Sequence, residues 1–309
     1  MSARVVGIGQ CCWDRIGQVA SWPENDAKTQ LLQLVEQGGG PVATALVVLA
    51  RLGVATCFCG RIGADDEGVR IRAGLQAEKV DCSLLQQSES GRSQTALIVV
   101  EQGSGRRTIF WYRDDNLAID INSAVQEVLS RADILLLDDL DADAALAAAQ
   151  YARLCGVTTV LDGGSLRPRT REILPLIDHL VVSERFVSRW RPQAQAGEVL
   201  QELAAYGGQV AVTLGDRGCL ALVDGRVHHT PAFSVPVVDT TGCGDVFHGG
   251  YVYGLLQKWP PLRILEFASA CAALKATGFG GRFAPRHLDE PLAFLRSRGS
   301  DPFWRKAAD

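Results

Sequence analysis

Segments that read as buried strands alternate with segments of helical spacing along most of the chain. Strand-like apolar runs occur at RVVGIGQ, ATCFCG, ADILLLD, VTTVLD and HLVVS. A helix-like segment, PVATALVVLARLG, ends at Gly53, and an alanine-rich helical segment follows ADILLLD. This alternation predicts an α/β fold in which helices cover both faces of a parallel sheet and ligands bind beyond the carboxyl ends of the strands.

Two β-rich segments interrupt the alternation. Residues 14–38 are polar and alternating, and residues 93–114 contain two strand-like runs joined by a Gly-Ser-Gly turn, which predicts a hairpin. We expect a single domain over residues 1–309, with these two segments forming a small sheet that serves as a lid. Pairing of an exposed lid edge with a second copy would satisfy its backbone groups, so a homodimer through the lid is also expected.

Composition excludes several classes of partner. The chain has 31 basic and 35 acidic residues without a basic stripe, which argues against nucleic acid. No apolar run approaches the roughly eighteen residues of a membrane span, and the first apolar run is too short for a signal peptide. We therefore expect a cytoplasmic protein with no membrane partner. The nine cysteines form no CxxC pair, which predicts free and mostly buried thiols.

The segment VVDTTGCGDVFHGGYVYGLLQ, residues 237–257, carries the strongest chemical signal. Residues 237–238 read as the end of a strand, and Asp245 falls in the first turn of the helix that follows. The two glycines before Asp245 allow neighbouring amides to point into one concavity, an anion site at a helix N-terminus. These amides are those of Gly242, Cys243 and Gly244. Taken alone, the pattern is equally compatible with an acidic cap after a glycine turn.

Other turns are candidates for ligand contact, although no Walker A loop is present. The Gly38–Pro41 turn precedes a helix, where backbone without side chains lets a ligand approach closely. Thr213 ends a strand before the turn Gly215–Gly218, which would face a nucleotide phosphate or form a plain hairpin loop. Asp14 follows the first strand, where a carboxylate would bind sugar hydroxyls or only solvent.

In chain order, GGGPVATALVVLARLG, GRIGADDEG, VTLGDRG and DTTGCGDVFHGG resemble the ribokinase-like (PfkB) family of carbohydrate kinases. The resemblance spans the whole chain, and its most specific element is DTTGCGD. It implies a ribokinase-like three-layer α/β/α sheet with a small β-sheet lid. It also implies ATP- and Mg²⁺-dependent phosphorylation of a sugar or nucleoside hydroxyl.

The resemblance assigns roles residue by residue. It implies that Asp245 takes the proton from the acceptor hydroxyl, beside an anion hole formed by the amides of Gly242, Cys243 and Gly244. The sugar-contacting positions of the family are matched by Asp14, Gly39 and Gly40. Its nucleotide-phosphate positions are matched by Thr213, Gly215 and Gly218. Some members bind K⁺ at positions that correspond to Asp239, Thr241 and Gly280.

The chain departs from the family pattern at two places. Thr44 stands where many members have an asparagine that contacts the acceptor, and it lacks the paired donor and acceptor of an amide. The Asn-x-x-Glu element associated with Mg²⁺ and phosphate reads Ser183-Glu184-Arg185-Phe186. We interpret Ser183 as a nucleotide-binding residue and Glu184 as a group that orders metal-bound water.

Motifs within the family are most similar to the sulfofructose kinase and ketohexokinase-like branch. Lys28 matches a lid lysine of that branch, whereas Asp138, Asp139 and Asp141 would repel a sulfonate. We therefore expect a ketohexose-like acceptor such as fructose. A sugar phosphate fits as well, and the basic side chains that would meet it are Arg113, Arg106 and Arg107. The alternatives are a nucleoside kinase and a catalytically silent sugar-binding regulatory protein.

Overall fold

Short apolar strands form the centre of the molecule in a computed structural model, which describes residues 4–299 and 303–304. The strands are β1 Val5–Ile8, β2 Cys12–Val19, β3 Gln33–Gly39, β4 Thr56–Cys59, β5 Arg61–Gly63, β6 Gln86–Ser88, β7 Thr95–Glu101, β8 Arg107–Tyr112, β9 Ile134–Asp138, β10 Thr158–Gly163, β11 His179–Ser183, β12 Gln209–Thr213, β13 Cys219–Val223 and β14 Arg226–Thr230. The helices are α1 Pro41–Arg51, α2 Asp66–Ala77, α3 Ser123–Leu129, α4 Ala142–Cys155, α5 Thr170–Ile173, α6 Glu184–Trp190, α7 Ala196–Ala204, α8 Cys243–Leu256, α9 Pro261–Ala276 and α10 Asp289–Arg298.

The large sheet has the strand order β14-β13-β12-β11-β10-β9-β1-β4. Strands β4 to β12 of this order run parallel, and β13 and β14 add an antiparallel edge. Successive residues of β9 alternate between the two faces, because Leu136 packs with α1, α8 and α9 while Leu135 and Leu137 pack with α4 and α7. The predicted α/β fold, with helices on both faces of a mainly parallel sheet, is confirmed.

The second sheet has the order β3-β2-β7-β8 and takes its strands from the two β-rich segments. Strands β7 and β8 form the expected antiparallel hairpin. A small apolar cluster on one face contains Ile16, Ala96, Ile98 and Val100, whereas every residue of β8 is exposed. This sheet therefore has much less apolar support of its own than the large sheet.

Three other sequence predictions can be compared with the structure. The expected strand end at residues 237–238 is wrong, because residues 231–238 form no strand and reach α8 as an irregular segment. All nine cysteines are free, and seven of them are buried, as predicted. Among the described residues, no helix is long and apolar enough to cross a membrane.

Glycines in α8 bring it close to its neighbours α1 and α9. A Cβ atom at Gly249 would lie 2.8 Å from Val48 Cβ and 3.0 Å from Ala45 O, both in α1. A Cβ atom at Gly250 would lie 2.9 Å from Ala268 Cα in α9. The position of α8, and of the groups at its N-terminus, therefore depends on the absence of these side chains.

We expect Gly249→Ala to lower the free energy of unfolding by about 1–3 kcal/mol, because the added methyl group overpacks the α1–α8 contact. Gly74→Ala is the matched control, since a Cβ atom at Gly74 in α2 would meet no atom within 4 Å. Better helix propensity should raise the stability of that variant by about 0.5–1 kcal/mol. Equilibrium urea unfolding measures both changes, and wild-type stability of Gly249→Ala would contradict the close packing.

Candidate active site

A left-handed glycine turn starts α8. Gly242 has a φ angle of 77°, and a Cβ atom there would lie 2.4 Å from Gly281 O, so a larger residue does not fit. Amides in the first turn of a helix have no acceptor inside the helix, and the helix dipole is positive at this end. The amide of Cys243 donates to Thr240 O at 3.3 Å, which is a long contact. Cys243 and Gly244 face an open cleft.

Asp245 lies half-buried in the first turn of α8. Burial, and after it the negative charge of Asp162, raise the pKa of its carboxyl group, which is about 7 in the folded protein. His248 and Arg107 oppose this increase, and the carboxylate of Asp14 adds to it. A carboxyl group with a pKa near neutral is suited to accept a proton from a substrate at physiological pH.

A buried acid–histidine pair behind Asp245 was not predicted from the sequence. His248 Nδ1 lies 3.2 Å from Asp162 Oδ2 and 2.8 Å from Gly244 O, while Nε2 lies 3.2 Å from Val181 O. Burial raises the pKa of Asp162 to about 8 and lowers the pKa of His248. Carbonyl oxygens face both ring nitrogens, and a neutral imidazole can donate to only one of them, so these contacts favour a protonated ring while burial opposes it.

A cleft of about 680 Å³ opens beside the N-terminus of α8, which is a usual size for a small-molecule site. Its polar wall contains the predicted nucleotide positions Ser183, Thr213, Gly215 and Gly218. Its apolar wall contains Phe233, Val235, Ala272, Ala273 and Ala276. An aromatic base against the apolar wall and phosphates toward the helix N-terminus would match this division.

The element read as Ser183-Glu184-Arg185-Phe186 forms one wall of the cleft. The hydroxyl of Ser183 donates to Gly164 O and accepts from the amide of Phe186, so it caps α6. Glu184 lines the cleft and forms an ion pair with Arg217. Within the part of the chain that the structure describes, no three histidine, cysteine or acidic side chains converge on a metal position.

Arg107 reaches the cleft from the second sheet. Its Nη1 donates to Thr240 Oγ1 at 2.9 Å, and this hydroxyl donates to Gly105 O in the β7–β8 turn. The sequence suggested Arg107 as a contact for a phosphorylated acceptor. The structure instead places it against the segment that precedes the glycine turn, where its positive charge lowers the pKa of Asp245.

The predicted sugar positions Asp14, Gly39 and Gly40 meet where β2 and β3 lie beside the start of α1. Asp14 is only 6% exposed, and Cys12 Sγ donates to its Oδ1 at 2.8 Å. A Cβ atom at Gly39 would lie 2.0 Å from Asp14 Oδ2, and one at Gly40 would lie 2.3 Å from Gln10 O. The two glycines therefore let the start of α1 lie close to Asp14 and Gln10.

Arg282 lies beside these sugar positions and was not predicted from the sequence. Its Nε donates to Thr44 Oγ1 at 3.3 Å, and its Nη2 lies 3.4 Å from Gly39 O. Burial lowers the pKa of Arg282, whereas the charge of Asp14 raises it. The only hint in the sequence is the segment GFGGR, in which a basic residue directly follows glycines. No sequence pattern connects this segment with Thr44, which is 238 residues away from Arg282.

The remaining candidate residues fall into different places. Arg113 lines a small cavity of about 10 Å³ together with Arg61, whose Nε has no hydrogen-bond partner among the described residues. Lys28 is exposed, in the segment between β2 and β3.

The acidic cluster after β9 is largely occupied by structural contacts. Asp139 pairs with Arg167, and Asp141 caps α4 through the amide of Ala144. Asp138 accepts from the amide of Gln10. All three of these carboxylates therefore already have partners within the protein.

The positions compared with a K⁺ site converge on Asp239. Its Oδ1 accepts from the amide of Thr241 at 2.7 Å, and its Oδ2 accepts from the amide of Gly280 at 2.9 Å. The predicted set is thus brought together in space. Lys275, which the sequence did not single out, lies at the same place.

Comparisons with known proteins agree with this geometry. The family model described as pfkB family carbohydrate kinase matches residues 2–287. An ATP-dependent ribose-1-phosphate kinase from Halopiger xanaduensis is 30% identical, covering 96% of this chain and 99% of the relative. A fructokinase from Escherichia coli is 28% identical, covering 92% of this chain and 96% of the relative.

Solved structures give the same fold. A candidate ribokinase from Agrobacterium tumefaciens superposes with a TM-score of 0.90 at 26% identity, covering 96% of this chain and 99% of that one. A candidate ribokinase II from Escherichia coli, in complex with ATP and Mg²⁺, gives 0.81 at 20% identity, covering 96% and 99%. The predicted ribokinase-like fold is confirmed, and the chain belongs to the pfkB family of carbohydrate kinases, phosphotransferases whose acceptor is an alcohol group.

Proposed function

We propose that this kinase transfers the γ-phosphoryl group of ATP to a sugar hydroxyl, with Asp245 as the base. The observation that carries the proposal is the position of Asp245, which directly follows Gly244 of the nucleotide-sized cleft and is close enough to Asp14 for that carboxylate to raise its pKa. The pKa of Asp245, raised to about 7, fits removal of a proton from the acceptor. The ATP-dependent relative and the ATP- and Mg²⁺-bound neighbour support ATP with Mg²⁺ as the donor.

Phosphoryl transfer depends mainly on in-line positioning and on stabilisation of negative charge. The amides of Gly242, Cys243 and Gly244, at the positive end of α8, would face the transferred group. Arg107 adds a positive charge on the same side. Proteins usually hold Mg²⁺ in such sites through nucleotide phosphates and water, which fits a cleft with one predicted acidic contact, Glu184. Bound Mg²⁺ would neutralise phosphate charge.

We further propose that the second sheet closes over the acceptor as a lid and excludes water. Its β7–β8 turn already touches the segment before α8 through Gly105 and Thr240. The exposed strand β8 offers an edge for a second copy, so we propose a homodimer through the lid. Sedimentation velocity at micromolar concentration tests the dimer, and a monomer at every concentration would exclude it.

Two acceptors are supported by different observations. The ketohexose predicted from the sequence is consistent with the fructokinase relative. A phosphorylated pentose is favoured by Arg282 beside Thr44, by Arg61 and Arg113 in the small cavity that also includes Cys11, and by the ribose-1-phosphate kinase relative. Because arginine binds phosphate through paired donors, we give preference to the sugar phosphate.

We expect Asp245→Asn to lower turnover on the order of 10²–10⁴-fold while ATP binding is retained, because the base is lost and the fold is kept. Asp224→Asn, in the exposed turn between β13 and β14, is the matched control and should be fully active. An assay of ADP release across ketohexoses, ribose, ribose 1-phosphate and nucleosides measures the effect. Turnover of Asp245→Asn close to wild type would remove Asp245 from this role.

We expect kcat/KM to rise from about pH 6 to about pH 8 with an apparent pKa near 7, because only the ionised Asp245 accepts a proton. Activity is therefore lost as the pH falls through this pKa. Asp162→Asn should shift the acid limb to lower pH, since ionisation of Asp162, which raises the pKa of Asp245, can no longer occur at this position. A limb that stays in place in this variant would indicate titration of another group, such as ATP itself.

We expect Arg282→Gln to raise KM for ribose 1-phosphate on the order of 10–10²-fold, because a hydrogen bond to a charged group is lost. KM for uncharged ribose or fructose should change much less. Arg286→Gln, at an exposed position nearby, is the control for a general loss of positive charge. Equal effects of Arg282→Gln on charged and uncharged acceptors would argue against a phosphate contact.

A further inference from the structure

A fully buried lysine lies beside the glycine turn of α8. Lys275, in the last turn of α9, has no exposed surface. Its Nζ donates to Asp239 O at 2.7 Å and to Gly278 O at 3.2 Å, and lies 3.9 Å from Asp239 Oδ2. Lysine side chains are almost never fully buried without a partner, so this arrangement requires an explanation.

The surroundings of the ammonium group are those of a cation site. The carboxylate of Asp239 is also fully buried, and the amides of Thr241 and Gly280 fix its two oxygens. Two backbone carbonyls and this carboxylate therefore surround one positive charge. Oxygen atoms of these kinds are the ligands that hard cations prefer.

We infer that the ammonium group of Lys275 takes the place of the monovalent cation for which the Asp239 region is otherwise suited. The residues do not fit a free K⁺ as well, because the carbonyl oxygens of Asp239 and Gly278 already accept from Lys275. Thr241 Oγ1 is buried without a partner in the described chain, but a single hydroxyl does not provide a ligand shell. An ammonium group resembles K⁺ in charge and approximate size.

Lys275 acts in this arrangement as a positioning residue. Asp239 leads into the turn that forms the anion hole, and Gly278 begins the loop that carries Gly281 against Gly242. One side chain thus joins both sides of the turn. Its positive charge also acts on Asp245. A tethered cation holds this geometry at any salt composition, whereas a free ion would have to bind first.

The inference rests on the proposed kinase function, and it can be tested with and without turnover. Wild type, Lys275→Ala and Lys275→Met are compared in tetramethylammonium, K⁺ and NH₄⁺ chloride at one ionic strength. ADP release and the thermal unfolding midpoint, Tm, are both measured. The alanine variant leaves space for an ion, whereas methionine fills most of the space without supplying a charge.

We expect wild-type turnover and Tm to be the same in all three salts. Lys275→Ala should lose turnover on the order of 10²-fold in tetramethylammonium, because the anion hole is no longer held in place. K⁺ and NH₄⁺ should restore much of its turnover and raise its Tm. Lys275→Met should stay impaired in every salt. If Lys275→Ala is unfolded in tetramethylammonium, refolding on addition of K⁺ supports the inference in the same way.

A saturable increase of wild-type turnover or Tm with K⁺ would overturn the inference, because it would show a separate ion site. Wild-type turnover of Lys275→Ala in tetramethylammonium would overturn it too, as would the absence of any ion response of that variant. The dependence of Tm on the salt can be measured without any sugar acceptor. Absence of wild-type turnover with every acceptor, together with the expected Tm pattern, would therefore reject the proposed function and leave the inference in place.

Discussion

The buried carboxylate of Asp239 is the group on which the geometry of the site depends. It holds the amides of Thr241 and Gly280 and is close to Lys275, so it ties the entry of α8 to the loop after α9. Removal of one partner from a buried charged pair typically costs about 3–5 kcal/mol, because the other charge is left without compensation. The same loop brings Arg282 to Thr44, so the position of Arg282 and the position of the glycine turn of α8 both depend on Asp239.

Charged groups with opposite effects on the pKa of Asp245 surround its carboxyl group. The carboxyl groups of Asp162 and Asp14 raise its pKa, and His248 and Arg107 lower it. Asp162 and His248 are buried, and both belong to the rigid sheet and helix layers. Arg107 comes from the second sheet, which is the part with the least apolar support. Under the proposed function, a change in the position of that sheet would change the electric field at Asp245, so that closure of the lid would alter the pKa of the base.

The parts of this protein that could be predicted from sequence are those set by local patterns. Alternation of strand and helix segments indicates the layers, and the glycine turn before Asp245 indicates the start of α8. Asp162, Arg282 and Lys275 were not found because their roles arise from contacts between segments far apart in the chain. The strand expected at residues 237–238 failed because these residues pack against the β7–β8 turn instead of another strand.

This difference between local and distant determinants also explains why the reaction class is easier to recognise than the acceptor. In the proposed function, the donor side consists largely of backbone amides and small residues, which require glycine at fixed positions such as Gly242. The proposed acceptor side consists of side chains, among them Asp14, Thr44 and Arg282, that meet only in the folded protein. Under the proposed function, substitution at Thr44 or Arg282 would change acceptor binding, whereas the amides of Gly242, Cys243 and Gly244 would still face the transferred phosphoryl group.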